Sequence, residues 1–205
     1  MLVTFEGIEA AGKSTLIAAL AREFTTRNDP VLVTKEPGGT PLGETLRTIF
    51  LDPATQINPI AEVLLMNAAR AQHVAEVIAP ALEHGTIVLC DRFFDATIAY
   101  QGYGRGLDIE TVLELCLVAT QRIAPDLTFL LDVPVELSAQ RVRARGGVDR
   151  VEREGAEFHA RVRAGYLALA RRFPRIAVLD GAQPAAKLAA DALTEIDRRR
   201  NVAPL

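Results

Sequence analysis

Short apolar or β-branched runs recur along the chain at LVTFE (2–6), VLVTK (31–35), TIVLC (86–90), LTFLLDV (127–133) and IAVLD (176–180). None alternates strictly with polar residues, the pattern of strands buried on both faces of a parallel sheet. Between them lie longer stretches of helical period, predicting helices over about 13–27, 42–51, 59–84, 108–122, 134–145, 152–172 and 184–200. Strand and helix alternate throughout, so the expected class is α/β, a five-stranded parallel sheet within a three-layer αβα architecture. No repeat, low-complexity tract or linker breaks the pattern, so residues 1–205 are expected to form one domain, with RRRNVAPL at the end as a frayed tail.

Composition adds exclusions. With 205 residues, 49% of them hydrophobic, the chain can bury a full core and falls outside the disordered and disulfide-stapled classes. Cys90 and Cys116, the two cysteines, sit in apolar sequence and read as buried free thiols. No apolar run approaches the roughly 18 residues of a membrane span, and Met1 leads into a strand-like segment without a basic start. The expectation is a cytoplasmic protein with no membrane partner. A net charge of −3 argues against a broad nucleic-acid surface, so an anionic ligand must meet local clusters of arginine.

The chemistry begins at FEGIEAAGKSTL, residues 5–16, where Gly7 precedes the pair Gly12 and Lys13 by five positions and Ser14 follows. A strand before and a helix-forming run after supply the context of a phosphate-binding loop. In such a loop glycines turn backbone N–H groups toward an anion, and the helix N-terminus adds its positive end. Gly7, Ile8, Glu9, Ala10, Ala11, Gly12, Lys13, Ser14 and Thr15 would then surround ATP phosphates, Lys13 reaching the β- and γ-phosphates and Ser14 holding Mg²⁺. A plain glycine-rich turn is the alternative, but the four fixed positions match by chance in only roughly one chain of this length in a hundred. Alone, the loop does not choose between motor, switch, transporter subunit and kinase.

Three further segments bear on that choice: TKEPGGTPLGETLR (34–47), EVLLMNAARAQH (62–73) and CDRFFDATIAYQGYGRGL (90–107). With the phosphate loop, and in this order through RARGGVDRVE (143–152), the chain resembles bacterial thymidylate kinases. The resemblance implies a P-loop NTPase fold with a small mobile lid at about 141–152. It also implies ATP-dependent, Mg²⁺-assisted phosphorylation of dTMP to dTDP, and a homodimer. Asp91 would share Mg²⁺ with Ser14 while Arg92 grips a phosphate; an Asp capping the following helix is compatible with both roles. Glu9 is similar to the family's acidic residue near the metal and the acceptor's 3′-hydroxyl. Glu36 and Pro37 would shape the acceptor pocket, and Arg47 would bind the acceptor phosphate. Met66 and Arg70, four apart on one helix face, would meet the base, with Arg70 donating to a thymine carbonyl. Thr97, Tyr100 and Gln101 would line base and sugar, Tyr100 lying where a ribose 2′-hydroxyl would project.

Several positions depart from the family pattern. Met66 stands where a stacking phenylalanine is usual, Asn67 where a small residue is usual, Ala96 in place of serine, and Lys35 in place of arginine. Taken alone, RVRARGGVDR (141–150) is a solvated basic helix end; beside a phosphate loop it reads as a lid hinged at Gly146 and Gly147. Family members take a catalytic basic residue from the loop or from the lid. Ala10 occupies the loop position, which leaves Arg145, with Arg143 and Arg150 as partners, beside Lys13 and Arg92 as the catalytic set. A nucleoside monophosphate offers an acceptor already largely ionised at neutral pH, so no dedicated base is expected, and His73, His84 and His159 fall outside the motifs' catalytic positions. A kinase for uridylate or a deoxynucleoside remains open on these departures. A nucleotide-operated switch is the alternative of another class, although no guanine-reading N-K-x-D motif occurs.

Overall fold

A computed structural model describes residues 1–146 and 149–201, so Gly147, half of the expected hinge, and the tail residues 202–205 lie outside it. Strands β1 (Leu2–Glu6), β2 (Val31–Lys35), β3 (Ile87–Asp91), β4 (Leu127–Asp132) and β5 (Ile176–Asp180) form one sheet in the order β2-β3-β1-β4-β5, every pairing parallel. Helices α1 (Lys13–Thr26), α2 (Pro41–Leu51), α3 (Pro59–His73), α4 (Ala79–Glu83), α5 (Phe94–Thr97), α6 (Ile109–Ala119), α7 (Val135–Arg145), α8 (Ala156–Arg172) and α9 (Ala185–Asn201) flank it. This is the αβα arrangement of P-loop NTPases. Strand order reverses direction at β1, and ligands of such sheets bind beyond the carboxyl ends of the strands at that point. The register sets Phe5 beside Asp91 and Glu6 beside Leu130, so β1 and β3 deliver their last residues to one place.

Four expectations need correction. Burial on both faces holds for β1, β3 and β4, but the edge strands β2 and β5 leave Val33 and Val178 about half exposed, because helices cover an edge incompletely. The long helix over 59–84 is interrupted by a π-helical turn at Val74–Ile78, beside Pro80, which cannot donate to the carbonyl of Glu76. The helix expected from 152 begins at Ala156, because the Asp149 carboxylate accepts from the N–H groups of Val151 and Glu152 and holds a turn there. Arg198, Arg199 and Arg200 are not part of a frayed tail. They belong to α9 and pair with Glu195 and Asp29.

The pattern also missed α5 and the π-helical turns Ile98–Gly104 that continue it. Every residue from Phe94 to Gly102 is buried, so no polar face marks a helical period. Elsewhere local signals act as expected. Thr40, Asn58 and Asp108 cap α2, α3 and α6 through side-chain oxygens, with Pro41 and Pro59 at first-turn positions. Cys90 and Cys116 are free and buried.

Glu6 closes β1 without solvent contact. Its carboxylate accepts from the Phe93 N–H (2.8 Å) and the Tyr166 hydroxyl (2.7 Å). Burial, with Asp95 adding, pushes this carboxyl from 4.5 up to about 7 against the opposing pull of Arg92 and the two hydrogen bonds. The folded chain therefore holds this proton more tightly than the unfolded chain does. The resulting stability is fully present below about pH 4.5 and is lost as pH rises through 7. Glu6→Gln keeps the shape without the titration, so its stability relative to the parent should improve by about 2–3 kcal/mol between pH 5 and pH 8 in denaturant unfolding. Parallel pH curves for the two proteins would remove Glu6 as the titrating group.

Candidate active site

The turn from β1 into α1 is built by residues that tolerate its backbone. Gly7 has φ 134°, and a Cβ there would lie 2.5 Å from the Leu131 carbonyl oxygen; Gly12 caps the helix at φ 105°. No side chain caps α1, so its first-turn N–H groups are left to serve a ligand inside the loop. Lys13, almost fully buried, donates from Nζ to the carbonyls of Gly7 (3.1 Å) and Ile8 (3.2 Å). Burial pushes its ammonium down to about 8, and Arg92 adds to that, while Asp91, Glu9 and Glu6 pull it back up. An anionic phosphate in the loop would favour the charged form further.

One residue behind, the Ser14 hydroxyl donates to Asp91 Oδ2 at 3.2 Å, joining the start of α1 to the end of β3. A hydroxyl and a carboxylate are hard oxygen donors, and Mg²⁺ binds through few protein ligands, keeping waters and substrate phosphates for the rest. The Ser14 and Asp91 oxygens are therefore a donor set that fits Mg²⁺.

Arg92 adopts φ 69°, a left-handed backbone that costs a branched-chain-free residue about 1 kcal/mol and is held here by its N–H donating to Phe5. Its guanidinium is fixed on four sides. Nη1 donates to the Gly7 carbonyl (3.0 Å) and the Tyr166 hydroxyl (3.1 Å), and Nη2 to Glu9 Oε1 (3.3 Å) and the Tyr100 hydroxyl (3.3 Å). The Tyr100 hydroxyl donates in turn to Glu9 Oε1 at 2.5 Å. Burial acts to raise the Glu9 carboxyl, but the His159 contact, Arg92, Tyr100 and Lys13 outweigh it and hold the group down at about 2.

A cavity of about 640 Å³ runs from this loop to the acceptor-side motifs. Its walls include Glu9 to Thr15, Asp91 and Arg92 at one end and Glu36, Pro37, Arg47, Met66, Thr97, Tyr100 and Gln101 at the other. Arg47 donates to the Pro37 carbonyl (3.0 Å), which keeps its head beside the pocket. Arg145 lines the same space, and its half-exposed side chain pairs with Glu152. Most of the expected site therefore meets around one space.

Others lie elsewhere. Gly7 and Ile8 contribute carbonyls to Lys13 rather than cavity wall. Arg70 is fully buried and off the cavity surface, donating to Glu36 (2.8 Å), Asn67 (2.7 Å) and Thr97 (3.0 Å); it braces residues that do line the pocket. His73 completes this brace, its Nδ1 hydrogen-bonded to the Glu36 carboxylate (3.0 Å) and its Nε2 to the Thr34 hydroxyl (2.7 Å). Arg143 is exposed and does not line the cavity. Arg150 does not reach toward the loop either. It stacks on Phe50 and pairs with the buried Glu62 on α3 (2.6 Å), which also receives Arg105 (3.1 Å) and Gln101 (3.0 Å). Arg105 binds Glu154 as well, so the 149–154 turn is fastened to α3. Arg141, Asp149 and Glu152 line the cavity from within the lid segment, where the sequence assigned them no role, and Tyr166 and His159 join the site from outside every motif. A single sequence shows no spacing that links these residues to the loop.

A phosphate loop with a serine and carboxylate pair behind it, opening onto an arginine-lined acceptor pocket, defines a phosphotransferase of the P-loop nucleotide kinase class. Comparison with known proteins narrows the class. The family profile described as thymidylate kinase matches residues 5–192. The chain is 53% identical to a thymidylate kinase of Desulfovibrio desulfuricans over 90% of this chain and 89% of that one. It is 45% identical to that of Deinococcus radiodurans over 97% of each. In structure it matches the crystal structure of thymidylate kinase from Ehrlichia chaffeensis with a TM-score of 0.77 and 33% identity, covering 96% of this chain and 98% of that one. The chain belongs to the thymidylate kinase family, the ATP-using nucleoside monophosphate kinases that phosphorylate dTMP to dTDP.

Proposed function

We propose that this cavity transfers the γ-phosphoryl group of ATP to dTMP, with the donor phosphates in the Gly7–Thr15 loop and the acceptor between Arg92 and Met66. The observation that carries this reading is that one cavity is lined by Lys13 and Ser14 and also by Met66, Thr97 and Gln101, with Arg92 and Arg47 on its walls. Two arginines on the cavity wall suit an acceptor phosphate by charge and by bidentate geometry. Tyr100, fixed against Glu9 and Arg92, would stand where a ribose 2′-hydroxyl projects and so favour deoxyribose. Mg²⁺ at Ser14 and Asp91 would neutralise charge on the donor phosphates. Residues 141–152 serve as the lid, and Arg145 supplies the positive charge that Ala10 does not.

Coupled ADP release with ATP and Mg²⁺, compared across dTMP, dUMP, UMP, thymidine and no acceptor, tests the reading. Strong dependence on dTMP is expected. Turnover indifferent to acceptor would leave a nucleotide-binding loop without the pocket assigned to it.

The enzyme acts in the cytoplasm as a homodimer on this reading. Among the described residues no helix is long and apolar enough to cross a membrane. Ile60 and Leu64, one turn apart on α3, and Val118 on the adjoining α6 are large apolar side chains 45%, 52% and 71% exposed, an expanse that a second copy would cover. Leu64→Glu should halve the mass seen by light scattering; an unchanged mass would place the interface elsewhere.

A further inference from the structure

Among the described residues two buried polar atoms beside the cavity make no hydrogen bond, and they face one another. These are Oε2 of Glu9 and Nδ1 of His159, 3.3 Å apart. The rest of the Glu9 carboxylate is committed, because Oε1 accepts from Tyr100 (2.5 Å) and Arg92 (3.3 Å). His159 has little freedom to turn away. It sits in the first turn of α8, its ring edge-on to Phe158 at 5.5 Å, and Phe158 is in turn edge-on to Tyr100 at 6.1 Å. α8 therefore presses a nitrogen donor against Glu9 on the oxygen that Arg92 and Tyr100 do not hold.

A buried acceptor and a buried donor left unmade are each costly, and at 3.3 Å the pair is already within hydrogen-bonding distance, so a small rotation of either side chain would align the N–H on the oxygen and satisfy both. A carboxylate neighbour also favours the imidazole tautomer that carries its proton on Nδ1. Glu9 lines the cavity and His159 stands behind it, so the imidazole acts on the acceptor through the carboxylate. We propose that His159 is a positioning residue for Glu9: by holding Oε2 from behind it fixes the plane of the carboxylate that lines the cavity, and so its bearing toward the 3′-hydroxyl of the acceptor sugar. The inference rests on the placement of Glu9 at the acceptor sugar.

The test compares dTMP with 3′-deoxythymidine monophosphate, which lacks the hydroxyl in question, as acceptors for the parent protein, Glu9→Ala, His159→Phe and His159→Gln. Preference for dTMP, measured as the ratio of kcat/KM values, should fall by roughly tenfold in His159→Phe, the worth of one hydrogen bond to a charged group. The loss should appear in the KM for dTMP with the KM for ATP unchanged. His159→Gln, whose amide can donate to the same oxygen, should recover most of the preference. An equal loss on both acceptors would make His159 a packing residue and overturn the inference, as would an unchanged ratio in His159→Phe. An unchanged ratio in Glu9→Ala would overturn the placement of Glu9 as well, whereas dTMP-dependent turnover of the parent protein would still stand. Circular dichroism checks that each variant is folded, and His159→Leu replaces His159→Phe in the same comparison should the larger ring unfold the chain.

Discussion

Lys13→Ala is expected to lower turnover with ATP and dTMP by two or more orders of magnitude while leaving the unfolding transition close to that of the parent protein. The ammonium sits at the mouth of α1, already stripped of most water and held by the Gly7 and Ile8 carbonyls. A charge placed in advance where negative charge builds on a transferring phosphoryl group contributes about 3–4 kcal/mol in comparable sites. Removing it from the folded chain costs little, because burying the ammonium was itself unfavourable. Lys13→Arg should not restore the rate, since a planar fork does not fit where a compact point charge is held by two carbonyls. Single-turnover kinetics at saturating ATP is the measurement, and a rate within tenfold of the parent would take Lys13 off the transferring phosphate.

Arg145→Ala is expected to reduce kcat by about a hundredfold with the KM for dTMP changed less than about threefold. Arg145 lines the cavity with its side chain 56% exposed, and the Glu152 carboxylate it pairs with also accepts from the Asp149 N–H, a partner that stays when Arg145 is removed. Loss of the side chain is therefore felt in the reaction rather than in the fold. Ala10 offers no substitute from the loop. A fall in dTMP affinity with kcat preserved would instead make Arg145 an acceptor-binding residue, and unaltered kinetics would shift the role to another basic group on the cavity wall, such as Arg141, which donates to the Ala10 carbonyl (3.2 Å).

The phosphate loop was legible in the sequence because its chemistry is local. Gly7, Gly12, Lys13 and Ser14 act through backbone turns and a helix start that lie within eight residues, so spacing carries the geometry. Parallel strands were legible for a similar reason, each being a short apolar run bounded by helical period. The acceptor side depends on contacts between distant segments, which spacing does not encode. Arg70 lies one helical turn from Met66, yet its guanidinium turns inward to Glu36 and Thr97 while Met66 faces the cavity. Arg150 lies beside the lid arginines in sequence, and the buried Glu62 draws it to α3 instead. His159 and Tyr166 approach Glu9 and Arg92 only because α8 folds back along the π-helical segment that carries Tyr100, itself hidden from sequence by burial on all sides.

Glu62 has a bearing on how this enzyme could be rebuilt. One carboxylate on the helix that carries Met66 receives Arg150 from the lid segment and Arg105 from beyond Tyr100, so three stretches distant in sequence converge on it. Taking one partner from such a buried cluster leaves the others with uncompensated charge, a penalty of about 3–5 kcal/mol. The lid is therefore not an interchangeable module: a lid transplanted from a relative would have to arrive with its own match for position 62, or the base pocket would bear the cost of the graft.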